Sequence, residues 1–434
     1  MKKIYKIILI FIFTVSLIYY GLLVILKSWK YSSFYEPDVN LLENSNSKRI
    51  QLALDFFSTN KNTINKYRMR KENNVTHHRP QLCIGVLTAP RSFYKSRRYL
   101  LQSMYSILSR FKGKKDRVSV IISIFTNNNR RRWHNKNDFT DHRIDLEIIR
   151  PFVDNIVLMD HDVQKPMEKN GNFQKVKYNW LYYESIDYLK ALKHCHLNSD
   201  ADNILLIEDD SFASPNMFVK LSKILKVLKK NVEKNVAYVK LFSTEHFFGF
   251  ENSDVLFFIC VFIIVSCISR KQLKLNLITS FCTGILIIIL LETIGKQNLI
   301  DPFYFHKGLN QIPFSSIDSN TVAVLFHDHS KVSSLINYME DISQEKTKRK
   351  NMIETDLILD RWSRINEFQR MYSIPSLFQH IGLISGKPWK GDLVNFMNPK
   401  NKEMIYRLMY KDMKTSRNFD IGTNPKNNIL FKVE

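Results

Sequence analysis

"NILLIEDDSFASP", residues 203–215, runs four apolar residues into three adjacent carboxylates, Glu208, Asp209 and Asp210. A short unbroken apolar run closed by Ser, Ala and Pro predicts a strand buried on both faces. Three neighbouring acids repel one another, so ending a buried strand on them is costly unless a cation or hydrogen-bond donors offset the charge. One reading is a helix cap, because carboxylates favour the start of the helix predicted near Pro215. Asp210 or Ser211 would suffice for that, and three acids exceed the need. Another reading is a divalent-metal site, with hard oxygen ligands suited to Mg²⁺ or Mn²⁺ beside a diphosphate.

Similar apolar, non-alternating runs recur at "LCIGVLTAP" (82–90), "VSVIISIF" (118–125), "VAYVKLF" (236–242) and "TVAVLF" (321–326), with a weaker one at "NIVLMD" (155–160). Between them lie helical patterns at 96–111, 178–193, 216–230 and 330–343, followed by the segment 352–372. The stripe Trp180, Tyr183, Tyr188 on the second of these reads as core packing. Strand–helix alternation with apolar strands predicts an α/β sheet covered on both faces. Such sheets bind ligands at strand carboxyl ends where the strand order reverses, and the acid triplet sits at such an end.

The chain has 434 residues, with 64 Lys+Arg against 41 Asp+Glu and a net charge of +23. That excess favours anionic partners or a diffusely solubilised surface. Aromatic residues are not interleaved with the basic clusters at Arg130–Arg132 and Lys346–Lys350, which argues against nucleic acid as a partner. Walker A, Gly-x-Gly-x-x-Gly, His-Glu-x-x-His and Gly-x-Ser-x-Gly patterns are absent, so those chemistries lack sequence support.

Residues 4–26, "IYKIILIFIFTVSLIYYGLLVIL", are long and apolar enough for an uncleaved membrane anchor with a cytoplasmic N-terminus. A second pair of apolar runs, 255–269 and 275–291, flanks a tip carrying Arg270, Lys271 and Lys274. As helices these reach only about 22 and 25 Å, so they span a thin bilayer or dip in from one face; the alternative is a buried soluble hairpin. Two crossings leave the segments on either side in one compartment, free to form a single domain. The expected organisation is a cytoplasmic tip and anchor (1–26), lumenal stalk (27–80), first half-domain (81–250), hairpin (255–291), second half-domain (292–386) and C-terminal extension (387–434). The lone sequon, Asn74-Val75-Thr76, falls in that stalk. Cys260, Cys267 and Cys282 lie in the apolar pair; Cys83 and Cys195 are the two left for a bridge, which sequence leaves open. His194-Cys195-His196 lacks a second ligand pair and reads as a helix end.

"ILLIEDD" resembles the opening strand of response-regulator receivers, but here strands precede it and the apolar pair occupies the stretch that would hold the phosphoacceptor. The closer resemblance is to Golgi glycosyltransferases of the GT-A type, whose acidic motif ends a strand in this way. More narrowly, the chain resembles the post-GPI-attachment N-acetylgalactosamine transferase family. "LTAPRSFYKSRRYL" (87–100), "EDD" (208–210), "ETDLILDRW" (354–362) and "PSLFQHIG" (375–382) carry the likeness. It implies a GT-A domain split by a membrane hairpin, multi-pass in the Golgi membrane with the catalytic domain lumenal. It also implies metal-dependent, inverting transfer of GalNAc from UDP-GalNAc to a mannose of the GPI glycan on GPI-anchored proteins. Under it, Glu208, Asp210 and His380 hold Mn²⁺ or Mg²⁺, while Thr88, Pro90, Arg91 and Asp209 meet the nucleotide sugar. Asp356 is the base, with Glu354 its rival. A UDP-GlcNAc-dependent transferase and an inactive membrane adaptor of the same fold remain alternatives.

Overall fold

The computed structural model describes residues 17, 20–21, 44–60, 81–89, 97–111, 120–126, 140–159, 173–199, 201–230, 235–242, 255–272, 274, 276–294, 309–312, 321–344, 354–373 and 376–382. Two compact units emerge, one including Thr244–His306 and the other Asn40–Ser243 and Lys307–Met409. The larger unit holds the sheet. Its strands are β1 (Leu82–Thr88), β2 (Val120–Thr126), β3 (Asn155–Leu158), β4 (Asn203–Glu208), β5 (Ser211–Ala213), β6 (Val236–Lys240), β7 (Leu309–Ile312), β8 (Ala323–Phe326), β9 (Gln369–Ser373) and β10 (Phe378–His380). Eight strands run in the order β3-β2-β1-β4-β8-β6-β9-β7, and β5 pairs separately with β10. β3, β2, β1 and β4 are mutually parallel, as are β6 and β9; β8 and β7 run against their neighbours. The fold is therefore α/β with a mostly parallel sheet.

Helices cover both faces: α1 (44–60), α2 (Tyr99–Leu108), α3 (Thr140–Ile149), α4 (Phe173–Lys193), α5 (Met217–Lys230), then, past the apolar pair α6 (Val255–Lys271) and α7 (Leu277–Ile294), α8 (His329–Gln344) and α9 (Thr355–Ile365). Successive residues of β4 serve opposite layers. Leu205 and Ile207 pack with Met104 and Ile107 of α2 and with Leu221 and Ile224 of α5. Ile204 and Leu206 pack with Leu192 of α4, Leu335 of α8 and Trp362 of α9. This two-sided burial is why β4 reads as an unbroken apolar run rather than an alternating one. Each fully buried Leu or Ile contributes roughly 1.5–3 kcal/mol relative to exposure.

Several expectations shift. Residues 44–60, which the apolar patch "LALDFF" (52–57) marks only as a short helix within a stalk, form a longer helix that packs into the main core: Ala53 and Phe57 are buried and Phe57 stacks edge-on against Phe152 at 4.8 Å. Arg49 of that helix donates to Gln102 of α2 at 2.8 Å, fastening the two. The segment 352–372 divides into α9 and β9, and the short strands β5, β7 and β10 were not foreseen. The acid triplet is followed by a strand rather than directly by a capped helix.

Among the described residues no helix is long and apolar enough to cross a membrane. α6 and α7 have 17 and 18 residues, about 26 and 27 Å of helix against a hydrocarbon core of roughly 30 Å. Within their own unit they pack closely: a Cβ on Gly284 would lie 2.7 Å from a ring carbon of Phe262. Ser280, one turn earlier, is buried, and small residues at this spacing let helices approach closely. The anchor expected at 4–26 falls outside the described residues apart from Leu17, Tyr20 and Gly21, and 387–434 falls wholly outside them.

Cys83 of β1 and Cys195 form a disulfide, with Cα atoms 5.7 Å apart. Cys195 lies in the wide turn His194–Asn198 that ends α4, so the bridge staples α4 to the centre of the sheet. Cys260, Cys267 and Cys282 are free thiols. Next to the bridge, Gly85 admits no side chain: its Cβ would sit 2.6 Å from Leu206 Cδ2 and 3.1 Å from Phe125 Cε2. Gly85→Val is expected to destabilise the protein by about 1–3 kcal/mol through overpacking, visible as a lowered thermal midpoint.

Candidate active site

β1 and β4 are adjacent, yet the chain leaves β1 toward β2 and β3 on one side and places β4 on the other. That reversal opens a crevice at the carboxyl ends of β1 and β4, the position where open α/β sheets bind ligands. Thr88 ends β1 and Glu208 ends β4. Across the crevice Thr88 Oγ1 donates to Asp209 Oδ2 at 2.7 Å, while the Asp209 amide donates to the Leu87 carbonyl at 3.0 Å.

The three acids diverge, each toward its own partner. Asp209, 5% exposed, is held by Thr88 as described. Asp210, 3% exposed, meets His380 Nε2 through Oδ2 at 3.2 Å. Glu208, half-buried, accepts from Thr321 Oγ1 at 2.7 Å. The β5–β10 pair delivers the histidine: His380 lies opposite Ser211, and the Ile381 amide donates to the Asp210 carbonyl at 2.8 Å. Burial first, and then the negative charge of Asp210, pushes the Glu208 carboxyl up to about 7, with the Thr321 hydrogen bond pulling the other way. A cation between Glu208 and Asp210 would relieve this repulsion.

Among the described residues no three His, Cys, Asp or Glu side chains form a ready-made cage for a metal ion. The donor set nonetheless fits a divalent cation of the Mg²⁺ or Mn²⁺ type. Such ions need one or two carboxylates and take their remaining ligands from substrate phosphate and water. Space is provided by Gly382: a Cβ there would collide with Asp210 Oδ2 and stand 2.9 Å from His380 Nε2. Gly382→Ala is thus expected to leave the thermal midpoint within a few degrees of wild type. Activity should fall about 10- to 100-fold, in line with the usual cost of disturbing a metal's surroundings.

Glu354 and Asp356 lie at the N-terminus of α9. Glu354 is the capping residue, its carbonyl accepting from the Ile358 amide at 3.1 Å. Asp356, 8% exposed, accepts from the Leu357 amide at 2.8 Å. A helix start favours negative charge in its first turn, where Asp356 lies. Thr355 between them is 3.2 Å from Ser185 Oγ of α4, and at the far end Asp360 ion-pairs with buried Arg370 of β9. α9 is thereby pinned at both ends.

The structure thus brings together Thr88, Glu208, Asp209, Asp210 and His380, and puts Glu354 and Asp356 on one helix end. Pro90, Arg91 and Asn74 lie outside the described residues. Thr321 and Gly382 were missed from sequence. Gly382, two residues past His380, was the better signal, since a glycine beside a candidate ligand often marks close approach.

A switch-point crevice edged with carboxylates on a mostly parallel α/β sheet suits a glycosyltransferase, and family membership assigns that class. The chain belongs to the family described as GPI-N-acetylgalactosamine transferase PGAP4, which matches residues 82–379. The family's activity implies a nucleotide-sugar donor and a GPI-anchored acceptor. No curated protein matches the chain. Among solved structures, that of mouse xyloside xylosyltransferase 1 in its apo form aligns with 68% of this chain and 84% of that one. At 8% identity and a TM-score of 0.28, this likeness carries no further weight.

Proposed function

We propose that the protein transfers GalNAc from UDP-GalNAc to a mannose of the GPI glycan, with inversion and with a divalent metal, in the Golgi lumen. The observation that carries this reading is the meeting of Asp210, within the span matched by the family, with His380, the residue that directly follows that span. Glu208, Asp210 and His380 would hold Mn²⁺ or Mg²⁺, which when bound neutralises charge on the departing diphosphate. Asp209, whose Oδ2 accepts from Thr88, would offer its carboxylate to ribose hydroxyls. Arg91 is the proposed diphosphate or base contact, with Thr88 and Pro90 beside it. Asp356 accepts the proton of the acceptor hydroxyl; the helix start that lowers the energy of its charged form also fixes its place. Glu354 is the rival for that role.

Membrane association through residues 4–26 and the α6–α7 pair belongs to the same proposal. It is supported by the apolar side chains that pair exposes, including Leu256, Phe257, Ile264 and Leu277. Such a pair would hold the site near the bilayer that carries the GPI glycan.

The test is UDP release by detergent-purified protein across UDP-sugars and GPI-glycan acceptors, with Mn²⁺ or EDTA. Metal-dependent turnover of UDP-GalNAc in preference to UDP-GlcNAc is the expected result. Failure to bind any UDP-sugar with Mn²⁺ would replace this reading with a non-catalytic adaptor.

A further inference from the structure

Glu184 and Tyr188 lie one turn apart on α4, and so on the same face of that helix. Neither was singled out as a site residue. The Glu184 Oε2 atom is shielded from solvent and has no hydrogen-bond partner among the described residues. The same holds for the hydroxyl of Tyr188, a residue only 3% exposed. Two buried polar atoms left so on one helix face are unusual, because such groups in native proteins nearly always have partners.

Their surroundings say where they point. Ser185, next to Glu184, touches Thr355 at 3.2 Å, which sets this turn of α4 against the start of α9, between Glu354 and Asp356. On the other side, Tyr188 packs in the same core layer as Leu206 of β4. Glu184 and Tyr188 are both within electrostatic reach of Glu208. This face of α4 therefore lies between the acid triplet at the crevice and the acids of α9.

We infer that Glu184 and Tyr188 form the donor-sugar wall of the site, with the Glu184 carboxylate accepting from hydroxyls of the transferred sugar and the Tyr188 hydroxyl completing that contact. The inference rests on the proposed nucleotide-sugar reading. A carboxylate is acceptor-only and spans two neighbouring hydroxyls, the chemistry a pyranose edge presents. A buried acceptor with no protein donor is satisfied when a hydroxylated ligand arrives and left unmet by one lacking hydroxyls there. That asymmetry is how polar sites discriminate among sugars. The proposed metal ligands lie at the end of β4 and on β10, so metal and sugar would be gripped by different elements.

The experiment compares UDP with UDP-GalNAc, binding each in Mn²⁺ to full-length wild type, Glu184→Gln and Tyr188→Phe by equilibrium titration, with thermal midpoints recorded. Glu184→Gln should bind UDP as wild type does and lose at least about tenfold in UDP-GalNAc affinity. Tyr188→Phe, which keeps the packed ring, should show the same pattern with a loss of about threefold or more. Equal affinities of wild type and both variants for UDP-GalNAc, or parallel losses for UDP and UDP-GalNAc, would overturn the assignment. Wild type that binds no UDP would instead overturn the nucleotide-sugar reading beneath it, and the assignment along with it. Should Glu184→Gln not fold, Tyr188→Phe decides alone.

Discussion

Asp210→Ala should abolish metal-dependent UDP-GalNAc turnover, with a loss beyond about 100-fold, while UDP-independent properties such as the thermal midpoint stay near wild type. Removing groups that merely orient metal ligands already costs 10- to 100-fold, so removal of a ligand itself costs more. Asp210 is the hub: its carboxylate meets His380 and its backbone carbonyl anchors Ile381. The substitution deletes the first contact and keeps the second, so β10 stays in place. Folding should tolerate it, because the deletion also removes the charge that destabilises ionised Glu208. Excess Mn²⁺ should restore little. The check is initial rate against Mn²⁺ concentration for both proteins; a variant retaining more than a tenth of wild-type turnover would remove Asp210 from the metal role.

Loss of the Cys83–Cys195 bridge has the second large effect, and it falls on stability. The bridge joins residues 112 apart. In the chain-entropy account a loop near that length is worth about 4.7 kcal/mol, and removal of native bridges typically costs 2–5 kcal/mol. The Cys83→Ser, Cys195→Ser double variant should therefore melt roughly 5–15 °C below wild type, at about 2–4 °C per kcal/mol for a domain of this size. Calorimetry of purified protein reads this directly, and wild type in strong reductant should move the same way. Both cysteines are wholly buried, so the serine hydroxyls would sit in an apolar layer and add to the loss.

The strands that carry the site were legible because their residues face two apolar layers. β1, β2, β4, β6 and β8 are near-continuous apolar runs, too short for core helices and bounded by turn residues, which leaves a doubly buried strand. The acid triplet was legible for the opposite reason, as charge where burial was expected. What escaped notice lacks local pattern. β7 and β10 are four and three residues long, and β10 is a strand only because β5 lies beside it. Helix 44–60 carries a modest apolar patch amid Asn and Lys, so its core role depends on Phe152, nearly a hundred residues on. Thr321 contacts Glu208 across 113 residues, and Glu184 acquires meaning only from the packing of α4 against α9. Metal affinity, donor identity and acceptor are not properties of strand pattern at all, which is why they rest on family membership and on experiment.

The pairing of β5 with β10 also sets an order of events during synthesis. Asp210 emerges from the ribosome 170 residues before the histidine it meets. Domains begin folding from the N-terminal side as they are made. β1 to β4 can associate early, yet the crevice cannot gain His380 until the apolar pair and β8 and β9 have followed. If His380 serves as the proposed metal ligand, catalytic competence waits until the chain past residue 380 has been made. A translation product ending near residue 375 would contain every strand of the main sheet and still lack the imidazole, so under the proposed metal role folding and activity would part company in it.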